Sequence, residues 1–417
     1  MNLKATKLNK IIRNLTILGI STYIYFIFLN IKRISYRVAF EEFLWDYKFG
    51  ICRRALEGQL FSIIHKTKFS DQYFINLSLS LNIIAFVIFI SIAYKLLCKN
   101  INYTYLILVY ITSPLTFKNQ IYDIGRQDII GFIFTELIFL LILLNKPKQA
   151  AIFFSLFIIP LCMIADNNVL FWGPTCISLI LLSGDHKSFV SSKILNTKNI
   201  SISFKPIYVV LALSFSASIF IPFLLRPPTI PEANYRDYLQ TKAVYSIFYP
   251  GNTGYSTAAI YVKTGDSSLA KAHNHLIEIN AYKNTLKNIL DYIYFALPII
   301  LLYIVGLKYN NKGSKLLYTV YLLLVVLFYA PAFYITYDFP RYYSNITMCL
   351  YFLSFYYIYN TNYSLGETVK KLSVVYIVIQ IIINQPFGIS IEEGSIITNY
   401  CKWLCDGFKG NHFMILR

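Results

Sequence analysis

The feature that most constrains this chain is its division into apolar blocks of roughly 16 to 24 residues, the length a helix needs to cross a hydrocarbon core of about 30 Å. In hydrocarbon every backbone N–H and C=O has to be satisfied within the protein, and only helices and closed barrels do this. Barrel strands alternate polar and apolar side chains, and these blocks do not. Hydrophobic residues make up 56% of the 417 residues and charged residues only 14%, whereas a soluble domain carries about a quarter charged residues. The sequence therefore predicts an all-α integral membrane protein, a single polytopic domain over 1–417.

About eleven spans are predicted, at 14–31, 74–97, 102–117, 128–145, 149–165, 168–183, 206–225, 291–308, 316–336, 344–360 and 372–387. No internal repeat is present. The first block follows Lys4, Lys7, Lys10 and Arg13, like the charged start of a signal peptide. It runs long and has no small-residue cleavage site, so it predicts a retained signal-anchor helix. The seven cysteines form no metal-ligand pattern, and no metal or cofactor is expected. Cys401 and Cys405 are spaced to share a helix face, as an oxidised pair on the exported side or as two apolar packing residues.

Basic residues in short loops stay in the cytoplasm. With the N-terminus inside, the inner segments hold seventeen lysines and arginines against only Asp185 and Glu367. The net charge of +18 is then mostly a topology signal and implies no nucleic-acid partner. An enzyme using a cytoplasmic nucleotide-activated donor needs acidic metal ligands or bases on the inner face, which has almost none. The outer face holds a long first loop (32–73), the segments 118–127, 166–167 and 337–343, a large loop (226–290) between the seventh and eighth spans, and a C-terminal tail (388–417).

The ionisable chemistry lies on that outer face. The first loop carries Asp46, Arg53, Arg54 and Glu57, and Leu56, Leu60, Phe61, Ile63 and Ile64 predict an amphipathic helix in the interface. Arg53 and Arg54 either touch lipid phosphates or belong to a site where a lipid-linked phosphate arrives; the guanidinium fork suits phosphate oxygens. Asp123, Arg126 and Asp128 fall where the third span gives way to the fourth, and Asp338 and Arg341 repeat an acid and an arginine around Pro340. Charges this close to hydrocarbon are costly unless paired or hydrated. Each set reads as a clamp between helix ends or as part of a site. Glu136, two turns into the fourth span, has to face protein or water. Turn propensity alone explains Asp166-Asn167-Asn168. The large loop carries Arg226 and a His273-x-His275 pair without the further ligands a zinc site needs.

This layout of spans, outward arginines and a large second-half loop resembles bacterial surface-polysaccharide proteins, in particular O-antigen polymerases of the Wzy type. No outer arginine here is followed by glycine at the polymerase spacing. More distantly, the long first loop with its interfacial helix and Asp46 looks similar to GT-C glycosyltransferases, which use polyprenyl-phosphate sugars. The resemblance implies polymerisation of undecaprenyl-diphosphate-linked oligosaccharide repeat units into O-antigen or capsular polysaccharide, at the outer face of the bacterial inner membrane. It implies Asp46 or Asp123 as the catalytic base, and Arg53, Arg54, Arg126, Asp128, Arg226, Asp338 and Arg341 as substrate-binding residues. The implied partners are the lipid-linked oligosaccharide, membrane lipid, a chain-length regulator and a flippase. Rival classes are a flippase, which predicts two similar halves, a membrane O-acyltransferase, hinted at by Arg54 eleven positions before His65, and a scaffold.

Overall fold

The computed structural model describes residues 3–29, 44, 47, 56–64, 69–113, 115–116, 127–183, 206–224, 238, 241, 277–278, 293, 297, 300, 312–335, 339–361 and 366–383. These residues are all-helical, with no strand among them. The helices are α1 (Leu3–Leu29), α2 (Leu56–Ile64), α3 (Asp71–Lys99), α4 (Thr104–Thr112), α5 (Asp128–Leu143), α6 (Pro147–Ile164), α7 (Asp166–Ser183), α8 (Pro206–Leu224), α9 (Lys312–Ile335), α10 (Phe339–Thr361) and α11 (Glu367–Ile383). The span expected at 291–308 lies outside the described residues apart from 293, 297 and 300. The loop 226–290 lies almost wholly outside them, and the tail 388–417 entirely so.

Local chemistry sets the ends of these helices. Ser70 caps α3, its hydroxyl accepting from the Tyr73 N–H at 3.3 Å. Asn100 closes α3, and its side chain accepts from the Asn102 N–H to open a single 3-10 turn, Ile101–Tyr103. Helix α4 then ends at extended Ser113, just before Pro114 in the sequence. Its nine residues rise only about 14 Å, so the span expected at 102–117 forms a short helix instead of a full crossing. Between α5 and α6 the chain reverses in three residues: Asn145 takes a φ of 59°, and the Lys146 N–H donates back to the Leu141 carbonyl at 2.9 Å. Pro147 then sits in the first turn of α6, where a missing N–H costs nothing. A single extended residue, Ala165, separates α6 from α7. Asp166, Asn167 and Asn168 form the first turn of α7, not the loop expected from their turn propensity, and the reversal is made at Ala165 instead.

Helix α7 is the hub, packing against α5, α6, α8, α9 and α10, while α3 packs on α5, α8 on α6, α1 on α3 and α11 on α4. Trp172 of α7 is fully buried. Aromatic contacts tie the hub to its neighbours: Phe171 stacks on Tyr329 of α9 at 4.7 Å, and Phe132 of α5 meets both Trp172 and Phe352 of α10. The Tyr329 hydroxyl donates to the Phe171 carbonyl at 3.1 Å.

Large apolar side chains stand on the outer faces of the bundle as well as in its core, and several polar ones are buried. Thr135, Glu136, Ser178, Asn345 and Ser354 are buried, while Leu156, Leu213 and Leu327 stand 65%, 65% and 68% exposed. The outward hydroxyls of Thr16, Thr22, Ser80 and Ser91 donate to carbonyls one turn back on their own helices, so these four donors are satisfied without water. Among the described residues two helical stretches, Gln72–Lys99 and Pro147–Ile164, are long and apolar enough to cross a membrane.

Charge divides the two ends of the bundle. Arg13, Lys95, Lys99, Lys146, Lys148 and Lys370 lie where α3, α5 and α10 finish and where α6 and α11 begin. There Arg13 covers the Tyr94 ring, and Lys99 covers the Tyr359 ring and donates to the Tyr359 carbonyl. Lys370 pairs with exposed Glu367 at 2.7 Å and holds that carboxyl below its usual range.

Candidate functional site

At the opposite end, α5, α7 and α10 all begin, and their first turns are joined by buried polar side chains. Asp128 opens α5, where the helix dipole favours a negative charge, and it is buried. The Asn345 Nδ2 of α10 approaches its Oδ2 at 3.4 Å. Gln127 precedes α5 and donates from Nε2 to the Glu57 Oε2 of α2 at 3.0 Å. Its backbone carbonyl accepts from the Asn168 Nδ2 of α7 at 3.3 Å. Ser344 adds a bond to the Leu115 carbonyl at 2.9 Å, tying α10 to the chain beyond α4. Two carboxylates and three amides from four helices therefore converge at one end of the bundle.

Helix α2 brings Glu57 there because its two faces differ. Glu57 and Gly58 are buried, whereas Leu60 and Ile63 point outward. Phe61 packs edge-on against Phe69 and Tyr73, fixing α2 beside the start of α3. The first long loop meets α2 through the Tyr47 N–H, which donates to the Gln59 Oε1 at 3.2 Å, and Leu44 is buried.

Directly beneath the amides, Gly131 allows α5 and α7 to approach. A methyl group there would fall 2.2 Å from Trp172 Cδ1 and 2.7 Å from both Trp172 Nε1 and Asn168 Oδ1. One turn further in, the Thr135 hydroxyl and the Cys176 thiol are 3.4 Å apart.

Of the residues proposed from sequence, Asp128 is the one whose side chain is described. It is bonded to an amide of a distant helix, which the expected Asp–Arg clamp did not include. Arg341 belongs to the first turn of α10. Asp46, Arg53, Arg54, Asp123, Arg126, Arg226 and Asp338 lie outside the described residues. Sequence reasoning gives Glu57 and Gln127 no role of their own, reads Asn168 as a turn residue, and does not single out Asn345. The available signal was that each is polar yet lies in or beside an apolar block, where polar groups tend to be kept for a partner. Among the described residues no group of three or more His, Cys, Asp or Glu is placed to hold a metal ion. Such an arrangement of acceptors and amide donors suits hydroxyl-rich ligands, and three helix starts favour an anion beside them. Compared with known proteins, the chain matches no protein-family model, no curated protein and no solved structure.

Proposed function

We propose that this chain is a multi-pass membrane glycosyltransferase that joins undecaprenyl-diphosphate-linked oligosaccharide repeat units into a surface polysaccharide, with the Asp128 end facing outward from a bacterial inner membrane. The observation that carries the reading is the convergence of Asp128, Glu57, Gln127, Asn168 and Asn345 at the end where three helices begin. Support for the membrane comes from the large apolar side chains on the outer faces of the bundle and from two spanning-length apolar helices among the described residues. The gathering of lysines at the far end supports the orientation, since cations mark the cytoplasmic side.

In the proposed reaction a hydroxyl of the acceptor sugar attacks the anomeric carbon of the donor chain. The new C–O bond forms as the bond to the diphosphate breaks, and undecaprenyl diphosphate leaves. Asp46 or Asp123 takes the hydroxyl proton. Asp128 and the amides hold sugar hydroxyls. Arg341 in the first turn of α10, with Arg53, Arg54, Arg126 and Arg226, offsets the charge that builds on the leaving diphosphate. Asp338 is assigned to the same acceptor-side contacts.

A second reading is favoured by α2, a short helix in the first long loop with Leu60 and Ile63 turned outward. That arrangement suits a GT-C-like enzyme taking single sugars from a polyprenyl phosphate. The test is a gel of surface polysaccharide from a strain lacking the gene. Loss of the ladder with a single repeat unit retained, restored by the wild type and not by Asp128→Ala present at equal membrane level, is the expected result. A full ladder from Asp128→Ala would overturn the site assignment. Loss of one sugar from every repeat would favour the second reading, and loss of all surface sugar would point to a flippase.

A further inference from the structure

Glu136 lies two turns deeper on α5 than Asp128, about 12 Å along the axis. It is completely buried, and neither carboxyl oxygen has a hydrogen-bond partner. Tyr110 of α4 stands within electrostatic reach of it. The Tyr351 ring of α10 meets Tyr110 edge-on, with centroids 5.1 Å apart, and both hydroxyls are buried without partners. Toward the start of the bundle, Trp172 Nε1 and Asn168 Oδ1 are also buried and unpartnered, one turn apart on α7. Native interiors leave few such atoms. Here six of them, from four helices, occur at successive depths: Asn168 in the first turn of α7, Trp172 one turn on, and Glu136 two turns into α5, with Tyr110 and Tyr351 on α4 and α10.

Among the described residues no basic group interacts with Glu136, and Tyr110 is the titratable group that faces it; Tyr351 and Cys349 lie around Tyr110, and Cys176 stands on the α7 side against Thr135. Helix α3 presents Phe89, which stacks on Tyr110, and α6 presents Phe153 and Phe154 against Phe134. What remains to satisfy these donors and acceptors is water, which buried polar groups recruit at about three hydrogen bonds per molecule. We propose that these groups line an internal water path leading inward from the Asp128 end, and that Glu136 is a proton-exchange site at its inner end. The path carries a proton to and from the carboxyl with no net chemistry, and it stands whether or not the chain transfers sugars.

The test is infrared spectroscopy of the purified full-length protein in lipid nanodiscs. A carboxyl band absent from Glu136→Gln, shifting within minutes of transfer to D2O, is the expected result, and Trp172→Phe should slow that shift several-fold. A spectrum unchanged by Glu136→Gln, or a Glu136 band that stays unshifted for hours while loop amides exchange, would overturn the proposal. Should Glu136→Gln fail to fold, Glu136→Asp, which keeps the acid and shortens its stem, decides it: a carboxyl band that moves in Glu136→Asp and shifts within minutes in D2O upholds the path, and a band unmoved by the substitution, or unshifted for hours, refutes it.

Discussion

Replacing Gly131 with alanine tests the packing that builds the site. The added methyl would lie 2.2 Å from Trp172 Cδ1, against an ordinary carbon–carbon contact of about 3.5–4.0 Å. Trp172 is fully buried and braced by Phe132, with ring centroids 5.5 Å apart, so the indole has little room to yield. Overpacking of this kind costs about 1–3 kcal/mol. Alanine returns about 0.5–1 kcal/mol by stiffening the helix, and the net expectation is a loss of roughly 1–2 kcal/mol. Because the same methyl would fall 2.7 Å from Asn168 Oδ1, the bond from Asn168 to the Gln127 carbonyl should weaken with it. Gly19 of α1 supplies the control, since a methyl there meets nothing within 4 Å, and Gly19→Ala should be neutral or stabilising. Thermal unfolding of the detergent-solubilised protein, followed by size-exclusion, measures both. If Gly131→Ala melts at or above the wild type while folding normally, α5 and α7 do not pack as described.

Leu213→Lys, at a site 65% exposed, should cost about 2.5–3.5 kcal/mol if that face meets hydrocarbon at mid-depth and reduce membrane accumulation; a surface in water would tolerate it within about 0.5 kcal/mol. Tyr329→Phe removes the bond to the Phe171 carbonyl and should cost about 0.6–2 kcal/mol in the same melting assay. The Glu367 carboxyl titrates lower when folded, so whatever stability it adds is present at neutral pH and is lost as pH falls through its folded-state value. Lys370→Ala should lower melting slightly at pH 7, by little because the pair is at the surface, and should make no difference in acid below the carboxyl's folded-state value.

How much was legible in the sequence depended on the range of the interaction. Apolar blocks are local, and α3, α5, α6, α7 and α8 fall on five of the predicted spans to within a few residues. The amphipathic helix after Arg54 is α2. Where a local signal competed with block length, the reading slipped: Asn100, the 3-10 turn and Pro114 shorten the third span to α4. At the site, Asp128 was legible because a charge beside hydrocarbon stands out. Its amide partners were not, since neutral Asn and Gln leave no mark in hydropathy and meet across long separations. Gln127 reaches Glu57 seventy positions away, and Asn345 reaches Asp128 across 217. Nothing periodic in the chain pairs such residues; the packing of α5 and α10 on α7 brings Asn345 to Asp128, and the packing of α2 on α6 brings Glu57 toward Gln127.

The most direct test of the account is which side of the membrane each end faces. Lys193→Cys and Tyr255→Cys, made one at a time, in intact cells treated with a membrane-impermeant maleimide, report it when the adducts are mapped by position, since the seven native cysteines can label as well. The account predicts labelling at 255 without permeabilisation and at 193 only after it. Labelling at 193 in intact cells, with 255 protected, would place the Asp128 cluster in the cytoplasm and contradict the proposed reaction.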